Sequence, residues 1–303
     1  MIKRTLYFGS GAYLSVKDSQ LVVQLAEDTT NTKKTMPIED IGVVILDNPQ
    51  ITITQRVLVQ LLENNVAIIT CNQFHHPIGL QLCLDSNTLQ SERFQTQINA
   101  SESLRKNLWQ QTIVSKIYNQ AMVLKEFDVP VRNMITWSNS VFSGDSKNHE
   151  ARAAAYYWKN LLESHDNFKR ERFGEYPNNF FNYAYAILRA ITARSLVASG
   201  LLPTLGIHHK NRYNSYCLAD DIMEPYRPFA DKLIIDIIRK YPQEETLTTQ
   251  IKQEILKLPI IDVEINKKTS PLQIAMQETT SSLAQCYNST RRKIKYPIFG
   301  TKI

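Results

Sequence analysis

The sequence predicts an α+β chain, with a small β-rich, β-sandwich-like N-terminal domain followed by a larger all-α C-terminal domain. Three observations carry this reading. Short runs of β-branched and aromatic residues, punctuated by turn formers, fill about the first eighty residues. Residues 85–95 lose that alternation and become rich in Gln, Asn and Ser, as a linker would. From residue 96 to 303 apolar residues recur at helical intervals. The domains are therefore placed at 1–84 and 96–303, and 303 residues at 43% hydrophobic content suffice for both cores.

Taken in order, the expected strands are Thr5–Phe8, Tyr13–Val16, Gln20–Leu25, Val43–Leu46 and Val66–Thr70. Gly9-Ser10-Gly11, Lys17-Asp18-Ser19 and Asp47-Asn48-Pro49 supply turns between them. One helix interrupts the strands near residues 54–64, where Val57, Leu58, Leu61 and Leu62 form a stripe and Asn64-Asn65 closes it. Beyond the linker, Leu104, Leu108, Ile113, Ile117, Ala121 and Leu124 mark a helix ending near Glu126. A second starts near Asn148, its expected cap, and runs to Leu162. A third opens after Pro177 with Asn178 as cap and stops at Gly200. Later helices are expected at residues 219–240, 244–257 and 270–290.

Composition narrows the function classes. Lys and Arg exceed Asp and Glu by six, 35 against 29, a balance that permits a polyanionic partner without requiring one. The four cysteines, Cys71, Cys83, Cys217 and Cys286, form no CxxC pair, so zinc-finger and dithiol redox motifs are absent. Met1-Ile2-Lys3-Arg4 leads straight into strand-like alternation, with no signal peptide and no membrane-spanning run. A cytoplasmic protein with reduced thiols and no membrane partner is expected.

The chemistry concentrates between Gly206 and Asp231. His208, His209, Lys210, Arg212, Asp220, Asp221, Glu224 and Arg227 stand there among Ile222, Met223 and Tyr226. Buried carboxylates are costly unless a cation or hydrogen bonds compensate them. Asp221 and Glu224 are three apart and share a helical face, which could hold a divalent ion with His209 from the preceding loop. The plain alternative is a helix start rich in acids because of capping and the macrodipole. Glu150 faces the same two readings, as a first-turn acid of its helix. His75-His76-Pro77, a turn at the domain edge where no nearby carboxylate is expected, reads as structural.

The Gly206-Ile207-His208-His209 loop, followed by Leu218-x-x-Asp221-x-Met223-Glu224-Pro225-Tyr226-Arg227-Pro228, resembles the signature of the CRISPR-associated spacer-acquisition integrase family, the Cas-one proteins. Three further segments match in order: Arg4–Tyr7 with Ala12–Val16, His149–Trp158 around Glu150, and Asn182–Leu188 leading to Gly200–Pro203. The Met-Glu-Pro-Tyr-Arg-Pro wording is most similar to the type II branch. The resemblance implies a metal-dependent DNA endonuclease and integrase with Glu150, His209 and Glu224 as catalytic ligands of Mg²⁺ or Mn²⁺. His209 is chosen because the family histidine precedes its glutamate by fifteen positions; His208 stays open as the alternative. Asp221 and His208 are placed as auxiliary groups beside the ion.

The same resemblance implies that a 3′-hydroxyl on a short prespacer fragment attacks a phosphodiester of the repeat array. It implies homodimers through the N-terminal domain, joined by the small partner Cas-two into a four-plus-two complex. An effector nuclease and a ring-shaped DNA-binding accessory protein accompany the type II branch. Among basic clusters, Lys210 and Arg212 flank the histidines and are the candidate DNA contacts; Lys169-Arg170 with Arg172, and Arg291-Arg292-Lys293 with Lys295, are weaker candidates. Two other functions fit the residues: a general metal-dependent nuclease on branched DNA or RNA, and a non-enzymatic DNA-binding scaffold whose acids merely cap helices.

Overall fold

The computed structural model describes residues 3–28, 32–162, 168–171 and 174–300. The chain divides between Thr88 and Leu89 into two compact units.

The N-terminal unit holds β1 (Arg4–Phe8), β2 (Ala12–Lys17), β3 (Gln20–Leu25), β4 (Lys33–Pro37), β5 (Ile41–Leu46), β6 (Ile51–Ile53), α1 (Gln55–Glu63), β7 (Ala67–Cys71) and β8 (Pro77–Gln81). They form two four-stranded sheets, ordered β1-β5-β7-β8 and β4-β3-β2-β6. In the first, β5 runs parallel to both β1 and β7. Its Ile-Gly-Val-Val-Ile-Leu sequence is buried almost throughout, as a central parallel strand requires. Ile41 and Val44 of β5 share one core with Leu14, Leu21, Val57, Leu61 and Ile68. The β2–β3 hairpin turns at Asp18 and Ser19, both at positive φ, with Lys17 opposite Gln20. Asn65, at φ 54°, closes α1, with Val66 N–H returning to the Leu61 carbonyl.

Strands β4, β6 and β8 lie outside the sequence expectation. Lys33-Lys34-Thr35-Met36-Pro37 is polar and mostly exposed, so it carries no apolar alternation, and pairing with β3 alone makes it a strand. Asp47 also departs from the sequence reading of the His-His-Pro turn. It is buried, accepts the Tyr7 hydroxyl at 2.7 Å and contacts His75 Nδ1 at 2.9 Å, so His75 does have a carboxylate partner.

The C-terminal unit contains α2 (Gln90–Ile98), α3 (Glu102–Lys125), α4 (Arg132–Asn139), α5 (His149–Leu161), α6 (Asn178–Ala198), α7 (Cys217–Met223), α8 (Arg227–Lys240), α9 (Thr249–Ile255), β9 (Asp262–Ile265), β10 (Lys268–Pro271) and α10 (Leu272–Tyr287). Helix α2 begins inside the expected linker, which its Gln-rich composition had masked. α3 is buried on several sides and packs against α4, α5 and α8. Ser101 caps it by accepting the Leu104 N–H at 3.1 Å. α6 ends at Gly200, φ 67°, with Gly200 N–H bonded to the Val197 carbonyl and Leu201 N–H to that of Leu196.

The unit is not purely α. Asn266 and Lys267, both at positive φ, turn β9 into β10 with Ile265 opposite Lys268, and Lys in place of the usual Gly hid the hairpin. The expected helix 219–240 is split by a 3₁₀ turn at Glu224–Tyr226, because Pro225 has no N–H to continue the ladder. Among the described residues no helix is long and apolar enough to cross a membrane.

Candidate active site

Helix α3 carries Thr112, Lys116 and Asn119 at spacings of four and three, so they share one face. Asn119 fixes that face by donating to the carbonyls of Pro225, at 2.8 Å, and Pro297, at 3.1 Å. The Pro225 bond anchors the 3₁₀ turn that bears Glu224. Lys116 stands between these anchors, 8% exposed, in a helix otherwise rich in buried apolar residues.

Glu150 enters from α5. Its helix is capped by Asp145, which accepts the N–H groups of His149 and Glu150, each at 2.9 Å. Asn148, the cap expected from sequence, lies in the left-handed region and makes no cap bond. The Glu150 Oε1 carboxylate oxygen reaches Lys116 Nζ at 2.7 Å.

Glu224 meets the same ammonium. Its Oε2 is 2.7 Å from Lys116 Nζ, and its Oε1 is 3.1 Å from Arg227 Nη2. Burial pushes the Glu224 carboxyl up, but Arg227 and Lys116 outweigh it and hold it below the usual carboxylate range. Burial pushes the Lys116 ammonium down, and Glu224 and Glu150 reverse that direction, so it stays charged.

Asp221 faces elsewhere. It is fully buried and turns toward the loop before α7, where Oδ2 accepts the His208 N–H at 2.9 Å and Oδ1 meets His209 Nδ1 at 2.5 Å. This hydrogen bond, against the opposing effect of burial, raises the His209 pKa; the Glu224 and Glu150 carboxylates add to the rise. With Nδ1 engaged, Nε2 is the ring atom left to the site. His208 instead stacks on Trp109, centroids 4.2 Å apart and planes 2° from parallel, and burial lowers its pKa. Gly206 makes this loop path possible, since a Cβ there would lie 2.3 Å from the His209 carbonyl and 2.9 Å from Asp221 Oδ2. Next to Asp221, Asp220 takes a two-pronged contact from Arg189, at 2.7 and 2.9 Å, and tethers α7 to α6.

Glu150 and Glu224 thus converge on one cation position, while Asp221 and His209 pair with each other. Among the described residues no three His, Cys, Asp or Glu side chains stand close enough to hold an ion together. The donor set nevertheless fits a hard divalent cation: two carboxylates already share one cation, and an imidazole has its second nitrogen available. Lys116, Asp145, Trp109 and Arg189 are site residues that sequence reasoning missed. A lysine three positions after Ile113, on the stripe side of a long helix, was the available signal for the first.

Lys210 and Arg212 are exposed and, among the described residues, make no ion pair; Arg212 lies over the Tyr213 ring at 4.6 Å. Arg170 is instead used internally, over the Tyr185 ring at 4.9 Å and bonded to Asn178 and Asn182. Asn178, expected as a cap, is the first residue of α6, and its amide binds this segment. Arg172 lies outside the described residues. In the last basic cluster, Arg291 Nε donates to the Lys293 carbonyl and Lys295 pairs with Glu278 at 3.5 Å.

Known proteins share this fold. A casposase bound to integration product aligns with a TM-score of 0.79 at 20% identity, over 97% of this chain and 92% of that one. A chain of a Cas6-RT-Cas1–Cas2 complex aligns at 0.74 with 18% identity, over 96% of this chain and 36% of that one. In sequence, the family model for CRISPR associated protein Cas1 matches residues 6–257. The CRISPR-associated endonuclease Cas1 of Neisseria meningitidis serogroup C (strain 8013) is 34% identical over 98% of this chain and 96% of its own length. The chain belongs to the CRISPR-associated Cas1 family.

Proposed function

We propose that the protein is the endonuclease and integrase of CRISPR adaptation, a metal-dependent enzyme that joins short DNA fragments to the repeat array. The convergence of Glu150 and Glu224 on one cation, 2.7 Å from each, carries the catalytic reading. The relative named as a CRISPR-associated endonuclease supports the nuclease activity, and the fold shared with a casposase on its integration product supports joining.

Glu150, His209 and Glu224 would hold Mg²⁺ or Mn²⁺, the two glutamates through hard oxygens and His209 through Nε2. When bound, the ion polarises the phosphodiester and neutralises charge developing on it. Asp221 holds the His209 ring by Nδ1 and thereby decides which nitrogen faces the site. Arg227 compensates the Glu224 charge inside the unit. Lys210 and Arg212 bind the DNA backbone without reading sequence. The fragment's 3′-hydroxyl gives up its proton as its oxygen bonds to phosphorus, and the target strand's own 3′-oxygen leaves and takes up a proton. One phosphodiester forms as one breaks; with water as nucleophile the strand is only cut.

The N-terminal unit serves homodimer formation, and Cas2 joins two dimers into a four-plus-two assembly. A chain aligned to this one comes from a complex that contains Cas2, which supports that partner. The Met-Glu-Pro-Tyr-Arg-Pro wording supports the type II branch, in which an effector nuclease and an accessory ring protein also take part.

The test is a strand-transfer assay with a labelled fragment, a supercoiled repeat plasmid and a divalent ion. The parent should give joined products, whereas Glu150→Ala should lose joining at least about a hundredfold with its melting temperature within a few degrees. Near-parent joining by the variant removes Glu150 from the site. Cut strands without joined ones in the parent would make it a general nuclease.

A further inference from the structure

We infer that Lys116 is a placeholder cation: its ammonium occupies the ion's place between Glu150 and Glu224 in the metal-free protein, and metal loading must displace it. This rests on the metal-site reading above. Two carboxylates that converge this closely repel each other unless a cation lies between them. Lys116 supplies that cation at 2.7 Å from both.

Its surroundings leave it little else to do. On the same helix face Thr112 is engaged with Tyr296 at 2.8 Å, and Asn119 with the Pro225 and Pro297 carbonyls. The charges in contact balance: Lys116 and Arg227 against Glu150 and Glu224. A divalent ion drawing on the same carboxylate oxygens meets an ammonium already there, and a flexible four-carbon stem lets that ammonium withdraw. Lys116 is therefore a positioning residue. It holds the carboxylates in convergence before loading and weakens metal affinity by competing for them.

Mn²⁺ binding, measured by calorimetry without DNA, tests this in the parent, Lys116→Met, Lys116→Gln and Glu224→Gln. Both Lys116 variants should bind Mn²⁺ about tenfold or more tightly than the parent, since a competing buried charge is gone. They should also melt lower than the parent without metal and gain more from Mn²⁺ in a thermal scan. Parent-like or weaker Mn²⁺ affinity in both variants overturns the inference. So does failure of both to fold even in saturating Mn²⁺, because a dication should replace the lost ammonium. Glu224→Gln separates the two claims: if it binds Mn²⁺ as well as the parent, the metal-site reading fails. If it loses binding while the Lys116 variants match the parent, only the placeholder role falls.

Discussion

His208 and His209 are adjacent in sequence and differ in almost everything else. His208 lies flat on Trp109, a buried ring, and is held there by packing. His209 stands edge-on to the same ring at 86° and is fixed through Nδ1 by a buried carboxylate. His209→Ala should reduce strand transfer at least about a hundredfold, the scale of losing one ligand to a catalytic ion. His208→Ala should stay within about tenfold of the parent and lower the melting temperature by a few degrees through lost stacking. Initial rates and thermal melts of the two variants check this. The opposite ranking would put His208 at the ion and shift the assignment of the Gly206 loop by one residue.

Between residues and the whole unit stands the loop from Gly206 to the start of α7. Its path is tied down on both sides: Asp221 takes two contacts from its backbone and His209 ring, and Asp220 locks α7 to Arg189 of α6. Gly206 is the point at which no side chain can be accommodated, because the nearest obstacle is the His209 backbone itself. Gly206→Ala should therefore displace His209 and cut strand transfer by at least about tenfold, with the melt within a few degrees, since a surface loop shifts without opening the core. Full activity in this variant would show that the loop relaxes without moving the imidazole. At this scale the sequence was most legible where the helical stripe was long, as in α3 and α6. It was least legible where a short element depends on its neighbour: the exposed β4 strand, the Asn266-Lys267 hairpin, and the Pro225 break held by Asn119.

At the scale of the C-terminal unit as a whole, Asp231 on α8 is a buried carboxylate that ties elements together. Tyr185 of α6 donates to it at 2.5 Å and Tyr157 of α5 at 3.0 Å, so it joins three helices. Burial pushes its carboxyl up to about 7, while the two tyrosines and the guanidiniums of Arg170 and Arg227 pull the other way. In an unfolded chain the same group titrates near ~4. Between those values the native state holds a proton that the unfolded state lacks, so stability from this group falls as pH rises and levels off above about 7. The span of about three pH units is worth roughly 4 kcal/mol as an upper bound. Urea unfolding of the parent and Asp231→Asn at pH 5 and pH 8 checks the sign. The parent's advantage over the variant should be larger at pH 5, and a gap that does not change with pH rules the coupling out.

What the sequence determined by itself was mostly local. Period-two and helical patterning set the order β-rich then helical, Gly200 and Asn64-Asn65 marked helix ends, and the Glu224 and Glu150 motifs carried the family likeness. Those signals are readable because each depends on residues within a few positions of one another. Only the tertiary structure decided which charges distant in sequence meet. Lys116 is 34 positions from Glu150 in the chain and still farther from Glu224, and nothing in any local window links them. Asp221 and Glu224 illustrate the same limit: three apart on one helical stretch, they left open whether both meet an ion or Asp221 stands beside it as an auxiliary group. The Pro225 turn, anchored through Asn119, instead directs Glu224 to Lys116 and leaves Asp221 to His209. A buried charge must find a compensating partner wherever the packing supplies one, and packing is set by contacts distant in sequence.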